Sequence, residues 1–385
     1  MIRAALIAAF STLFILCFEN CVGSYRSETA SNLANAGSAP SLLGGNAAAT
    51  SSVLIPPKEK IAFGYWGSAM NGAGTGDYIN EVAGRGNVVF IREDTVEGVM
   101  SKVLQAKSRG MKSIIMVQNV FFPWASSTLF PDYDAKFRKL WTSLSIYKDW
   151  IQGFYLFDEP FYNNAQTPGW QQIYSPFLRD ELNTVAIYIH GIASGIPTIV
   201  VFSYAELEWP QFYGSYFPRE VDWVGFDCYA IEGERCSPDH VREFFAALKA
   251  NKGNKQKIVV VPDASHNAAP TLQDDLQKVA RLKVYKDLVA WNSDVVGVFP
   301  FMYQNHLIAG IWGAESMPNL QGELTIYYEG LNGRVRCEGT DLVRPSTGAR
   351  WTSAPVCMQS CEGNWLVTRS ADGRQLSSAQ SAQCM

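Results

Sequence analysis

Two adjacent carboxylates, Asp158 and Glu159, close an apolar run and are followed at once by Pro160. The run itself, Gly153-Phe154-Tyr155-Leu156-Phe157, shows no polar alternation, which is the pattern of a strand buried on both faces. Acids at the end of such a strand are costly unless they are solvated, paired or used. A partly buried glutamate beside a second carboxylate holds its proton more tightly than usual, and a carboxyl group that keeps its proton near neutral pH is suited to general-acid work.

The elements that position these acids repeat along the chain. Strand-like runs occupy 61–66, 87–92, 112–119, 152–158, 197–204, 221–228, 257–263 and 295–302. Amphipathic segments lie between them. Thr95 to Arg109 carries Val99, Val103 and Ala106 on one face and stops at Gly110. Asp134 to Trp150, Pro238 to Ala250 and Leu272 to Trp291 read as further helices, whereas the connections after the first and fifth strands read as short or irregular. Eight strands alternating with helices predict an α/β fold, a TIM-type (β/α)8 barrel, whose active sites are built at the carboxyl ends of the strands. A doubly wound open sheet would require a glycine-rich phosphate turn. The stretch Gly72-Ala73-Gly74-Thr75-Gly76 lacks that spacing and reads as a loop over the barrel mouth.

The carboxyl ends of the eight runs carry a concentrated set of polar and aromatic groups. In strand order they are Tyr65 and Trp66, Arg92 and Glu93, Gln118 and Asn119, Asp158 and Glu159, Tyr204 and Glu206, Asp227 and Tyr229, Asp263 and His266, and Tyr303 and Gln304. Trp66 and Trp312 are the candidate flat platforms. A barrel whose fourth strand ends in Glu-Pro resembles the clan A glycoside hydrolases, in which Asn-Glu-Pro carries the acid/base glutamate. The resemblance covers about residues 58 to 328 as an architecture and rests on a three-residue motif. It implies Glu159 as general acid and a carboxylate ending strand seven as its partner. Here Asp158 stands in place of the asparagine, and strand seven offers Asp263 where the clan has glutamate. Asp227 is the other candidate partner.

Two carboxylates about 5–5.5 Å apart give retention at the sugar carbon, and about 6.5–9.5 Å gives inversion. The Asp-Glu pair also resembles enzymes that use the substrate's own 2-acetamido group as nucleophile; that resemblance implies Glu159 as acid, Asp158 as the residue orienting the amide and Tyr229 as an assisting hydroxyl. The full Asp-x-x-Asp-x-Asp-x-Glu signature of the chitinase type is absent. The implied substrate-binding set is Tyr65, Trp66, Asn119, Tyr204, His266, Tyr303, Gln304 and Trp312. A different-class alternative is a carbohydrate-binding or adhesion protein that keeps the barrel without the chemistry.

Composition bounds the remaining possibilities. The 385 residues are 47% hydrophobic and 18% charged, with 11 Trp, 17 Tyr and 21 Phe, which gives ample core and an aromatic surplus. A net charge of −4 without any Lys/Arg cluster argues against a nucleic-acid partner. Met1-Ile2-Arg3, an apolar run from Ala4 to Phe18 and the small residues Val22-Gly23-Ser24 match a secretory signal peptide over 1–24. The run is shorter than the ~20 residues of a membrane span. Phe18-Glu19-Asn20 lacks the small residues expected before a lipidated Cys21. Residues 25–57, rich in Ser, Ala, Gly and Asn, read as a flexible linker ahead of a barrel over 58–330.

The six cysteines beyond the signal are Cys228, Cys236, Cys337, Cys357, Cys361 and Cys384. An even number in an exported chain fits disulfides, with four of them in a small module over 331–385. Their pairing is open. No H-E-x-x-H or C-x-x-C spacing points to a metal, no cofactor motif is present, and no G-x-S-x-G elbow supports a serine hydrolase.

Overall fold

The computed structural model describes residues 61–70, 77–123, 128–161, 176–208, 212–229, 236–306 and 310–331, and the backbone of six short strands between 336 and 380. The expected signal peptide, the linker and the loop at 72–76 lie outside the described residues, as do Cys357, Cys384 and the side chains of Cys337 and Cys361. Eight parallel strands form a nearly closed barrel: β1 (Ala62–Phe63), β2 (Val88–Arg92), β3 (Lys112–Met116), β4 (Ile151–Asp158), β5 (Thr198–Ser203), β6 (Trp223–Asp227), β7 (Lys257–Val261) and β8 (Val295–Val298). Hydrogen-bonded order runs β1-β8-β7-β6-β5-β4-β3-β2. These strands fall within the runs expected for them, save that β4 starts one residue earlier, at Ile151.

Closure depends on the irregular first strand. Ala62–Phe63 pairs with β8, while Ala69–Met70, farther along the same segment, pairs with β2. Between them the ladder is completed by side chains. Phe63 N donates to Asn87 Oδ1 at 2.7 Å, Asn87 Nδ2 donates to the Ile61 carbonyl at 2.9 Å, and Phe90 N donates to Ser68 Oγ at 3.2 Å. Gly64 is required at this crossing, because a Cβ there would stand 2.2 Å from the Val88 carbonyl oxygen.

Two layers of apolar side chains fill the fold. Inside the barrel lie Ala62, Trp66, Phe90, Ile114, Tyr155, Ile199, Val201, Val259, Val261 and Phe299. Outside it, the opposite strand faces pack on helices. These helices are α1 (Val96–Ser108), α2 (Tyr133–Leu144), α3 (Pro176–Ile192), α4 (Pro238–Asn251), α5 (Leu272–Trp291) and α6 (Pro318–Leu331). Their starts follow local chemistry. Thr95 Oγ1 accepts from Gly98 N at the head of α1, Ser237 caps α4 ahead of Pro238, and Thr271 and Asp274 form a reciprocal capping box on α5. Leu178, Leu182, Val185 and Ile189 give α3 one fully buried stripe.

At the amino end of the barrel, Asp222 Oδ2 accepts from Thr198 N at 2.8 Å and Thr198 Oγ1 at 2.9 Å, and lies 2.6 Å from His190 Nε2. That network pins β5 to the start of β6 at the end away from the carboxylates. Farther along the chain, the strands Arg336–Glu338, Asp341–Arg344 and Ala349–Trp351 form one three-stranded antiparallel sheet, and Met358–Glu362, Trp365–Arg369 and Gln375–Gln380 form another. Among the described residues no helix is long and apolar enough to cross a membrane.

Candidate active site

The carboxyl end of β4 is shaped by a bulge. Tyr155 pairs with Ile199 of β5 and Asp158 with Val201, but three steps on one strand match two on the other. Side chains alternate along a regular strand, so residues three apart would face opposite ways. The extra residue resets the alternation, and both Tyr155 and Asp158 stand level with interior positions of β5. The Tyr155 hydroxyl donates to Asp158 Oδ1 at 2.6 Å.

The next residue is more unusual. Glu159 has φ of 44°, the only left-handed value at a non-glycine among the described residues. Such a backbone costs on the order of 1–3 kcal/mol and persists only where the surroundings over-determine it. Here the Glu159 amide donates to the Val201 carbonyl at 2.9 Å, and Pro160 and Phe161 are buried immediately after it.

Asp227 ends β6 opposite Ser203 of β5 and Val261 of β7. It is 2% exposed, accepts from the Tyr229 hydroxyl at 3.2 Å through Oδ2, and is hydrogen-bonded to the Glu159 carboxyl. Tyr229 packs on Phe301, with ring centroids 4.9 Å apart, and Phe301 on Trp66 at 5.2 Å. Cys228, between Asp227 and Tyr229, is bonded to Cys236, the disulfide formed among the described residues.

The electrostatics of the group follow from crowding. Burial, and then the negative charges of Asp227, Asp158 and Glu206, hold the Glu159 carboxyl well above the usual range. Burial, followed by Asp158 and Glu206, does the same to Asp227, against the opposing pull of the Tyr229 hydrogen bond. Asp158 is raised by burial to about 6, with the Tyr155 hydroxyl and the Arg92 charge both lowering it. Both Asp158 and Glu159 stay partly exposed, whereas Asp227 is enclosed. Of the three, Glu159 is the partly exposed one whose charged neighbours push it upward, whereas Arg92 pulls Asp158 down. The arrangement is chemically suited to delivering a proton to a bound oxygen.

Asp263 is placed differently. Beyond β7 its carboxylate turns to the helix layer, where Lys278 of α5 is hydrogen-bonded to Oδ2 and Arg281 lies 3.9 Å away. Both Asp263 and Lys278 are buried. The expected rim also divides. Trp66 and Tyr229 belong to the barrel interior. Tyr65, Tyr204 and Tyr303 pack in the layer between strands and helices, with Tyr65 against Tyr303 at 5.1 Å and Tyr204 against Phe244 at 6.3 Å.

Gln304 is fully buried and donates to the Gly67 carbonyl at 2.7 Å. Asn119 donates to the Glu93 carbonyl at 3.3 Å. His266 sits in a two-residue antiparallel pairing opposite Trp312, with Nε2 3.6 Å from Asp274. Tyr155 carries no sequence signal for its role, since nothing in the run announces the bulge. Among the described residues no group of three or more His, Cys, Asp or Glu is arranged to hold a metal ion.

No protein-family model and no curated protein matches the chain. Solved structures do. The exo-beta-1,4-mannosidase Op5Man5 from Opitutaceae bacterium strain TAV5 is similar at a TM-score of 0.50 and 11% identity, over 69% of this chain and 59% of that one. A glucosidase from Croceicoccus marinus is similar at 0.49 and 12%, over 83% of this chain and 73% of that one. The Penicillium canescens endo-1,4-beta-xylanase XylE is similar at 0.46 and 14%, over 70% and 94%. The chain thus spans somewhat under two thirds of the mannosidase. At such identities the mannosidase likeness establishes the fold alone, a β/α barrel.

Proposed function

We propose that the protein is an exported glycoside hydrolase that cleaves a polysaccharide or oligosaccharide, with Glu159 as general acid. The observation that carries this reading is the carboxyl cluster at the carboxyl end of the barrel, in which burial and the charges of Asp227 and Asp158 push a backbone-strained Glu159 toward its protonated form. Glu159 donates that proton to the glycosidic oxygen as the bond to the sugar carbon breaks. Asp227 is the second carboxylate, in preference to Asp263, whose charge is already taken up by Lys278. Asp158, held by Tyr155 and Arg92, tunes both. Export rests on the amino-terminal pattern of residues 1–24.

The ion pair at Asp263 also favours a second reading. With strand seven's carboxylate held in the helix layer, the nucleophile is then the substrate's own 2-acetamido oxygen, and Asp158 and Tyr229 orient that amide. The test of the main reading is sugar release from a panel of polysaccharides by the mature protein and by Glu159→Gln. A loss of roughly a hundredfold or more in the variant is expected. Undiminished cleavage by the variant excludes Glu159 as the acid. Binding of a glycan by both proteins without cleavage by either moves the carbohydrate-binding alternative to first place. If the site is right, hydrolysis confined to 2-acetamido sugars selects the substrate-assisted form.

A further inference from the structure

Glu206 is fully buried, yet its carboxylate is divided between two strand ends. Oε1 accepts from the Phe161 amide at 2.5 Å, and Oε2 accepts from the Ser203 amide at 2.6 Å. Ser203 and Glu206 form a reciprocal capping box on the single helical turn Tyr204–Leu207, in which the Glu206 amide returns a hydrogen bond to Ser203 Oγ. A capping box accounts for one of the two carboxylate contacts. The other crosses from the end of β5 to the chain leaving β4, where Phe161 supplies the first backbone donor after Glu159, because Pro160 has none. The Phe161 ring is fixed alongside, 5.5 Å from Tyr216 and 6.1 Å from Phe212. The left-handed Glu159 is therefore clamped on both sides: its own amide by Val201, and the amide two residues on by Glu206.

We infer that Glu206 is a positioning residue for Glu159: it locks the strained turn that places the Glu159 carboxyl beside Asp158 and Asp227. This rests on the reading of Glu159 as general acid. The negative charge of Glu206 also favours the protonated form of the Glu159 carboxyl, as it does at Asp227.

The test uses Glu206→Gln in the full chain, which preserves size and one acceptor oxygen but removes the charge. Carbon-13 NMR of labelled carboxyl groups, with the Glu159 signal assigned from Glu159→Gln, follows the titration of Glu159 without any substrate. The Glu159 midpoint is expected to fall by about one pH unit, because a buried charge acts across a weakly screening interior. On a cleaved glycan, kcat is expected to fall about tenfold or more with little change in KM.

A merely structural Glu206 lowers thermal stability and leaves the midpoint in place. An unmoved midpoint in folded Glu206→Gln protein overturns the assignment. Should that variant fail to fold, hydrogen exchange at the Phe161 amide in the unaltered protein decides the matter: protection of roughly a hundredfold or more is expected, and exchange at the rate of an open loop overturns it. A protein that cleaves nothing yet shows the shifted midpoint separates failure of the glycosidase reading from failure of this one.

Discussion

Neutralising Asp158 should stabilise the protein at neutral pH. Burial raises this carboxyl from its ordinary 3.8 to about 6, so the folded chain binds its proton more tightly than the unfolded chain does. The direction of the effect follows from linkage: stability falls with pH wherever the folded state holds more protons. The contribution is fully present below 3.8 and is lost as pH rises through about 6. At roughly 1.4 kcal/mol per pH unit, the rise amounts to about 3 kcal/mol of stability forgone at pH 7 and above.

Asp158→Asn removes the charge but keeps an acceptor for the Tyr155 hydroxyl. It also relieves Glu159 and Asp227, both of which Asp158 pushes upward, so their changes add in the same direction. Urea unfolding followed by tryptophan fluorescence at half-unit steps from pH 4 to pH 8 measures the difference. The variant should gain up to about 3 kcal/mol on the wild type between the two ends of that range, whatever offset separates them at pH 4. Profiles that stay parallel, or a wild type that gains on the variant as pH rises, would refute the reasoning. Activity should fall in the variant that gains stability, the usual mark of a strained functional site.

Two other perturbations probe the supports around the site. Reducing the Cys228–Cys236 disulfide, which links residues eight apart, should cost about 2.5 kcal/mol by the chain-entropy argument and release the segment that carries Tyr229; urea curves with and without reductant measure it, and coincident curves would discount the bond as a support. Lys278→Met removes the nearer of the two cations from the buried Asp263 carboxylate, leaving Arg281 at 3.9 Å, and should cost about 3 kcal/mol, most of it recovered when Asp263→Asn is added. Strict additivity of the two losses would show that the pair is not coupled.

What the sequence made legible, and what it hid, divides along one physical line. Local pattern determines local structure. Runs such as Ile199-Val200-Val201-Phe202 read as strands buried on both faces, and Thr95, Ser237 and Thr271 mark helix starts by their hydroxyls. Facing is a different matter, because a strand has period two and any irregularity reverses every side chain beyond it. Tyr65 and Trp66 are neighbours on strand one, and only Trp66 faces into the barrel. The bulge in β4 brings Tyr155 to Asp158, three residues away, with no turn residue to announce it.

After β7, Pro262 ends the regular ladder, and Asp263 turns toward Lys278, fifteen residues later on α5. Asp158, Glu159 and Asp227 could be nominated from strand ends alone, since all three follow apolar runs. That Glu159 bends into a left-handed turn under the grip of Glu206, forty-five residues from Phe161, is a tertiary fact, expressed in a contact that no local pattern encodes. The acids were legible because the chain must end its buried strands in something polar. Their mutual arrangement was not, because it is decided by one extra residue in one strand and one carboxylate shared between two strand ends.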